Sequence, residues 1–545
     1  ATVMTLLRVV ACAAPAAPAP AADSGSTDAP ADQGEAVVIR LSTTSEPSTL
    51  DPNLAEDYYS ITPIEQMFLG LTNINNETSE IEPELATSWE VSEDGLVWTF
   101  NLRDDVMWSD GKPVTAQDVE YSVKRAVKPE TASPYAYVLY IIKNAQAINQ
   151  TAIPTDTYDI DSLGVKAIDD TTVEFTLEAP ASYFLSISSL WTLRPVPSWA
   201  IEQHGDAWTD PANIVVNGPY KVIEWKLGES LTFEKNPDYV NSADVQIERV
   251  EMSVITDQFT EVALYESGEL DVAGEGAASL PAEEVARIKD DPVLSQEFHE
   301  GPRASTTYVG FTMTKPPFDN VLVRKAFSAA IDRETMVRDV PATQFAPPGI
   351  IGAPEPEVGI GYDPEQAKAW LAEAGFPDGA GFPAVTYRYF ANSLEEALAQ
   401  ALQAMWKETL NVQVDLESME FPAFFASISA DTPVEEMPGV WRLGWGADYP
   451  DENNWVYEVF HCTDSTNRSR ATCTEADEMA KQAGRETDLE LRKELYQKVE
   501  TLMFGEEVRA APYYHRGFTI LAKPNVQRAY PTFAPVNWDT WRIEE

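Results

Sequence analysis

The stretch EPELATSWEVSEDGLVWTFNLRDDVMWSDGKPVTAQDVEYSVKR (Glu82–Arg125) decides how the chain is read. Trp98, Phe100 and Leu102 alternate with Thr99 and Asn101, the period of two that places one apolar face on a half-buried strand. Before it, Glu93-Asp94-Gly95 supplies turn chemistry that folds a strand ending at Trp89 and Val91 back against it, a hairpin. After a second Asp-Gly turn at Asp110-Gly111, Thr115 and Asp118 stand at capping-box spacing. Val119, Val123, Ala126 and Val127 then repeat at helical spacing, so the run reads strand, turn, strand, turn, helix.

Periodicity alone fits any α+β segment; residue identity says more. P-E-L-A-x-S-W-E-V-S-x-D-G-x-x-W-T-F-x-L-R followed by W-S-D-G-x-P-V-T-A-x-D-V-x-Y-S closely resembles the signature of the peptide-type (family 5) extracellular solute-binding proteins of bacterial ABC importers. Further matches follow in the family's order. They include the L-D-P segment at Leu50, WTDPANIVVNGPYKVIEW (Trp208–Trp225), EKNPDYV (Glu234–Val240), SGELDVAG (Ser267–Gly274) and the R-x-A-x-x-x-A-I-D-R helix within Pro317–Val340. The resemblance covers nearly all of Val37–Trp541. It implies an α/β fold, periplasmic-binding-protein-like (type II, cluster C), in which two lobes joined by a hinge close over a ligand and an extra third domain is present. The implied division is 1–35 as a truncated lipoprotein signal and flexible tether, 36–68, 206–305 and 516–545 as a discontinuous lobe I, 69–205 as extra domain II, and 306–515 as lobe III.

Composition sets limits of its own. The 545 residues carry 88 Asp plus Glu against 38 Lys plus Arg, a formal charge of −50, which repels a phosphate backbone and argues against nucleic acid. An acidic surface of this kind suits an exported protein or a saline habitat. A hydrophobic content of 44% is ample for real cores.

The apolar run Val3–Ala11 is too short to span a bilayer and contains Arg8. Val9-Val10-Ala11-Cys12 loosely fits a lipobox, in which Cys12 becomes the lipid-bearing first residue, as though the chain begins inside its own signal. The Ala/Pro/Ser-rich stretch Ala13–Glu35 then reads as a tether. Setting Cys12 aside leaves Cys462 and Cys473, which close a polar loop without CxxC spacing or histidines placed for zinc; a disulfide, rather than a metal site, is expected there.

Elsewhere, Asp363, Pro364 and Gly375 are start and stop signals around a helix, Asp319 is the expected cap of the preceding one, and Leu410–Phe421 reads as a strand. Most of the tyrosines, those of the aromatic-rich ASPYAYVLY (Ala132–Tyr140) included among the candidates, are assigned to packing.

Four scattered histidines without HExxH spacing, and the absence of a GxSxG elbow or a P-loop, leave an enzyme reading without support; no cofactor and no metal is expected. A receptor for peptides has to read main chain by strand-like pairing and must pair the charged termini. The resemblance implies Asp448, in GWGADY, as the partner of a peptide α-ammonium group. It implies Tyr58 and Gly444 as places where main chain pairs with the ligand, with Trp445 of the same motif beside them, and Tyr514 as an aromatic wall. Lys315 and Arg442 are the candidates for the peptide carboxylate. The sequence also departs from the pattern. Glu395 and Ile428 stand where basic residues are expected, Phe421 replaces a tryptophan, and Gly446 and Thr306 replace a cysteine pair.

The expected function is an extracytoplasmic oligopeptide receptor that delivers its ligand to ABC-transporter permease subunits, a monomer held to the membrane through lipid alone. The same fold serving a non-peptide solute, such as an oligosaccharide or a metal chelate, is the alternative. An exported hydrolase is the weakest reading, having no assembled nucleophile.

Overall fold

The Glu82–Arg125 run folds as its local chemistry dictates. Strands Ala86–Val91 and Val97–Leu102 pair antiparallel, with Trp89 opposite Phe100 and Val91 opposite Trp98, and Gly95 takes the φ of +71° that the connecting turn requires. Trp98, Phe100 and Leu102 are buried. Helix Ala116–Val127 opens on a capping box in which the Thr115 N–H donates to Asp118 Oδ2 at 2.9 Å, and the indole of Trp108 donates to the same oxygen at 3.3 Å. In this computed structural model the described residues are 36–544, apart from 154–155, 276–278, 337–339, 355–357, 392, 420, 430–431, 464, 466 and 534–535 and the side chains of 393, 394, 421 and 422. Cys12 and the 1–35 segment therefore lie outside the described residues, as does the Phe421 side chain.

Within Val37–Glu545, the hairpin above is half of a four-stranded antiparallel sheet completed by Thr172–Thr176 and Val165–Asp169. A second four-stranded sheet runs Val38–Thr43, Arg249–Val254, Ser230–Lys235, Tyr220–Lys226, its first pair parallel. One apolar cluster serves both: Ile39, Leu41 and Val250 of the second sheet belong to the same buried group as Phe100, Phe175, Phe184 and Trp191.

The largest sheet has the order Val272–Ala273, Ala510–Ala522, Phe298–Phe311, Val440–Gly446, Val385–Phe390, Val414–Met419, with Val340–Pro341 beside Ala510–Ala522. Its faces bury separate cores, Val309 and Phe311 with Trp406 on one and Tyr308 with Trp441, Trp455 and Phe460 on the other, as alternation along a strand demands. The strands Phe298–Phe311 and Ala510–Ala522 pair from Phe298 opposite Leu521 to Gly310 opposite Ala510, and the register breaks between Pro302 and Thr306 and again between Thr307 and Tyr308. Such irregularities bend the strand and increase its local twist at this crossing.

Two boundaries differ from the sequence reading. The cap of helix Val321–Ala329 is Asn320, whose Oδ1 accepts from Leu322 N at 2.9 Å; the Asp319 N–H is committed to the Lys315 carbonyl in the preceding turn. The strand expected over 410–421 is confined to Val414–Met419, and Phe421 opens helix Phe421–Ser427. Asp363 caps helix Pro364–Glu373 by accepting from Gln366 N at 2.9 Å, and Gly375 follows at φ +100°.

Candidate functional site

Strand Val440–Gly446 carries the GWGADY motif to its end. Thr307 lies opposite Gly444, Thr306 opposite Trp445 and Ser305 opposite Gly446, so one edge of the strand is taken by Phe298–Phe311. On the other edge Val385–Phe390 pairs only with Val440 and Trp441; from Arg442 onward that edge meets no strand among the described residues. An unpaired edge is what an extended ligand needs for main-chain pairing.

Beyond Gly446 the chain turns into helix Asn453–Phe460, and Asn454 fixes the turn. Its Oδ1 accepts from Trp445 Nε1 and from Asp448 N, both at 3.0 Å, and its Nδ2 donates to Asp448 Oδ2 at 3.2 Å. The Asp448 carboxylate also accepts the hydroxyl of Tyr135 at 2.9 Å and that of Tyr137 at 3.3 Å. The Tyr135 ring is braced by Trp191 at 4.8 Å and by Tyr137 at 5.2 Å. Asp448 is half-buried, makes no ion pair among the described residues, and burial holds its carboxyl above the usual range against the opposing effect of these hydrogen bonds. Next to it, Tyr449 stacks on Tyr183 at 5.9 Å, and the Ser182 N–H donates to the Gly484 carbonyl at 3.1 Å, so the residues around 135–191 and those around 448–484 face each other across this carboxylate.

The other expected ligand residues fall in different places. Tyr58 is the first residue of helix Tyr58–Met67, where its N–H has no acceptor within the helix, and its phenol faces Arg303 at the register break of the crossing strands. Arg442 is paired: its Nη2 lies 2.6 Å from Glu395 Oε1, the two side chains being 6% and 2% exposed. Lys315 is remote from Asp448. It lies beyond Phe311, opposite the start of strand Val440–Gly446, and its ammonium is tied to the carbonyls of Glu435 and Met437. At ~3.3 Å per strand residue the length of Val440–Gly446 alone sets the two ends roughly 20 Å apart. Tyr514 is buried, with its ring against Tyr513, and offers no open wall in this state. Tyr135 and Tyr137, which the sequence did not single out among tyrosines mostly read as packing, are the two phenols that meet Asp448.

Behind the motif lies a second set of acids. Asp451 pairs with Arg492 at 2.5 Å. Glu452 and Glu500, both fully buried, face each other carboxyl to carboxyl, and Glu500 accepts the Phe345 and Ala346 N–H groups at 2.8 Å. Burial pushes the Glu500 carboxyl up to about 7 and that of Glu452 well above the usual range. His461, Cys462 and Asp477 gather closely enough for a metal. Cys462, however, is disulfide-bonded to Cys473, with Cα atoms 5.0 Å apart, and Asp477 is bound by Arg509 at 2.8 Å, so this group is already committed. No helix among the described residues is long and apolar enough to cross a membrane.

Over residues 80–467 the chain matches the bacterial extracellular solute-binding proteins, family 5 middle. It is 34% identical over 494 residues to the oligopeptide-binding protein OppA of Bacillus subtilis (strain 168), with 87% of each chain covered. Over 501 residues, 90% of each chain, it is 32% identical to the probable deoxycholate-binding periplasmic protein YgiS of Escherichia coli (strain K12). The solved structure of the periplasmic murein tripeptide-binding protein MppA, in its unliganded open form, superposes with a TM-score of 0.79 at 30% identity, covering 94% of this chain and 98% of that one. All three carry the names of binding proteins, none that of an enzyme.

Proposed function

The chain belongs to the bacterial extracellular solute-binding proteins of family 5, and from that premise we propose that it is an extracytoplasmic receptor that closes over an oligopeptide and delivers it to an ABC importer. Asp448 receives the α-ammonium group, and the open edge of the strand at Gly444 pairs with the ligand main chain. The observation that carries this reading is the environment of Asp448. Neutral donors from both sides of the cleft hold a half-buried carboxylate to which the described residues bring no cation. A cation with several N–H donors, such as a peptide ammonium, is the group such a site stabilises most. Tyr135 and Tyr137 share the task by orienting the carboxylate.

The lobe boundaries expected from the sequence remain part of this proposal, supported by the separate sheets. So do the monomeric state, the docking to permease subunits, and lipid attachment at Cys12, which labelled fatty acid should mark and Cys12→Ser should abolish. Native mass spectrometry of the protein as purified tests the central claim: a heterogeneous set of retained peptides is expected. Failure to retain or bind any peptide from a defined pool refutes it. One observation favours a second reading: a relative covering 90% of the chain is named for deoxycholate, so binding of a steroidal acid in place of peptides would move the non-peptide reading ahead.

A further inference from the structure

The peptide reading leaves open how the far end of the ligand is recognised, and the Arg442 site bears on it. Arg442 is two positions before Gly444 on the same face of the strand. Its Nη1 lies 3.5 Å from where a Cβ on Gly444 would stand, so the guanidinium borders the stretch where ligand main chain is proposed to pair. Alone, it would be a ready clamp for a carboxylate. It is not alone: Glu395, in the first turn of helix Ser393–Leu410, holds its Nη2 at 2.6 Å, and the ring of Phe390 covers the guanidinium at 4.7 Å. Both charges are almost fully withdrawn from water, so the pair presents no net charge to a neighbour, and a second carboxylate brought against it would meet Glu395 at close range.

What surrounds the pair is polar and neutral. Thr307 Oγ1, opposite Gly444 on the same face, is buried without a hydrogen-bond partner among the described residues, and so is Arg442 Nε. Such atoms suit a carbonyl or amide group, which exchanges hydrogen bonds without bringing a charge. Lys315 is held at the other end of the strand by main-chain carbonyls. Arg516, which also faces Glu395, is exposed, where solvent screens any pairing with a carboxylate.

We propose that Glu395 sets the ligand class: by occupying Arg442 it turns the stretch beside Gly444 from a carboxylate clamp into a neutral subsite, so the receptor accepts a continuing or amidated chain there as well as a free carboxyl end instead of selecting the free carboxylate. The inference rests on the peptide reading of the Asp448 cleft, and one experiment separates the two. Peptides with a free amino end, each as the free acid and as its C-terminal amide, are titrated calorimetrically into the wild type and into Glu395→Gln. The wild type is expected to bind the acid and amide twins within about threefold of each other. Glu395→Gln, which releases the guanidinium, should prefer the free acid about tenfold or more, and adding Arg442→Gln to it should erase that preference. A tenfold preference of the wild type for the free acid overturns the role of Glu395, while the peptide reading stands. The same holds for an acid-to-amide ratio that Glu395→Gln leaves unchanged. The wild-type ratio decides even where a variant does not fold. Binding of neither twin overturns both the subsite and the receptor reading.

Discussion

Asp448→Asn is the substitution that discriminates most sharply. Tyr135, Tyr137 and Asn454 donate to this carboxylate at 2.9, 3.3 and 3.2 Å, so an ammonium seated against it would sit among groups already arranged around negative charge. Two unit charges ~3 Å apart at an effective dielectric constant of about 20 attract by roughly 5 kcal/mol before desolvation is counted. Removing one partner of a buried pair costs about 3 to 5 kcal/mol, and a half-buried position takes the lower end. A loss of about 3 kcal/mol, roughly 100-fold in Kd, is therefore expected for a free-amino peptide. An ordinary surface acid would lose about 0 to 1 kcal/mol. Calorimetry with a peptide and its N-acetylated twin on wild type and Asp448→Asn closes a double-mutant cycle in which the two losses are strongly non-additive, because each removes the same ion pair. The pH dependence has a fixed sign. Burial raises the Asp448 carboxyl, so affinity for the free-amino peptide falls on acidification at a higher pH than an exposed carboxylate would give, while the acetylated twin shows no such fall. Losses that add to within about 0.5 kcal/mol refute the anchor.

Tyr135→Phe removes a single 2.9 Å hydrogen bond to the same carboxylate and should weaken a free-amino peptide about fivefold with little change in thermal stability; equal weakening of the acetylated twin would remove Tyr135 from ammonium recognition. The Glu452 and Glu500 carboxyls, raised by burial from an ordinary 4.5, the second to about 7, keep protons in the folded chain that the unfolded chain has released. Their contribution to stability is thus full below about pH 4.5 and lost as pH rises through about 7. Glu452→Gln, a permanent donor to Glu500, should flatten the fall in Tm between about pH 5 and pH 8, and an unaltered slope counts against a proton held between the two carboxyls. Asp477→Asn weakens two charge-assisted hydrogen bonds of the fully buried Arg509, which keeps Glu507 at 2.6 Å, and should cost about 2 to 3 kcal/mol in urea unfolding; a cost below about 0.5 kcal/mol would show that the pair is not structural.

What the sequence discloses divides by range. The turn at Gly95, the box between Thr115 and Asp118 and the cap at Asp363 are legible because each is decided by residues within a few positions. Asp319 and Asn320 are both competent caps, and only the backbone path chooses between them, so that reading slips by one. Asp448 is legible through its motif, but its two phenolic partners are 313 and 311 residues away in chain order, and no periodicity marks them. The one available signal was their type: tyrosines, where packing alone would be served by phenylalanine. Glu395 is visible in the sequence as an acid at a basic position, yet that the acid pairs with Arg442 depends on a helix meeting a strand in space.

The undivided core beneath the first two sheets has a mechanical consequence. Prising Ile39 and Leu41 away from Phe100 and Phe175 would wet a large apolar surface, and the same cluster takes in Phe518, Ile520 and Ala522 at one end of the largest sheet; on the proposed two-lobe reading these parts are expected to move as one jaw and the rest of the largest sheet as the other, with the register break near Pro302–Thr306 between them. Three sheets then supply a single degree of freedom. Ligands of different length are expected to alter the dwell time of one shut outline instead of producing graded outlines. Distance histograms between dyes on the two jaws should accordingly keep two peaks whose weights shift and whose positions do not.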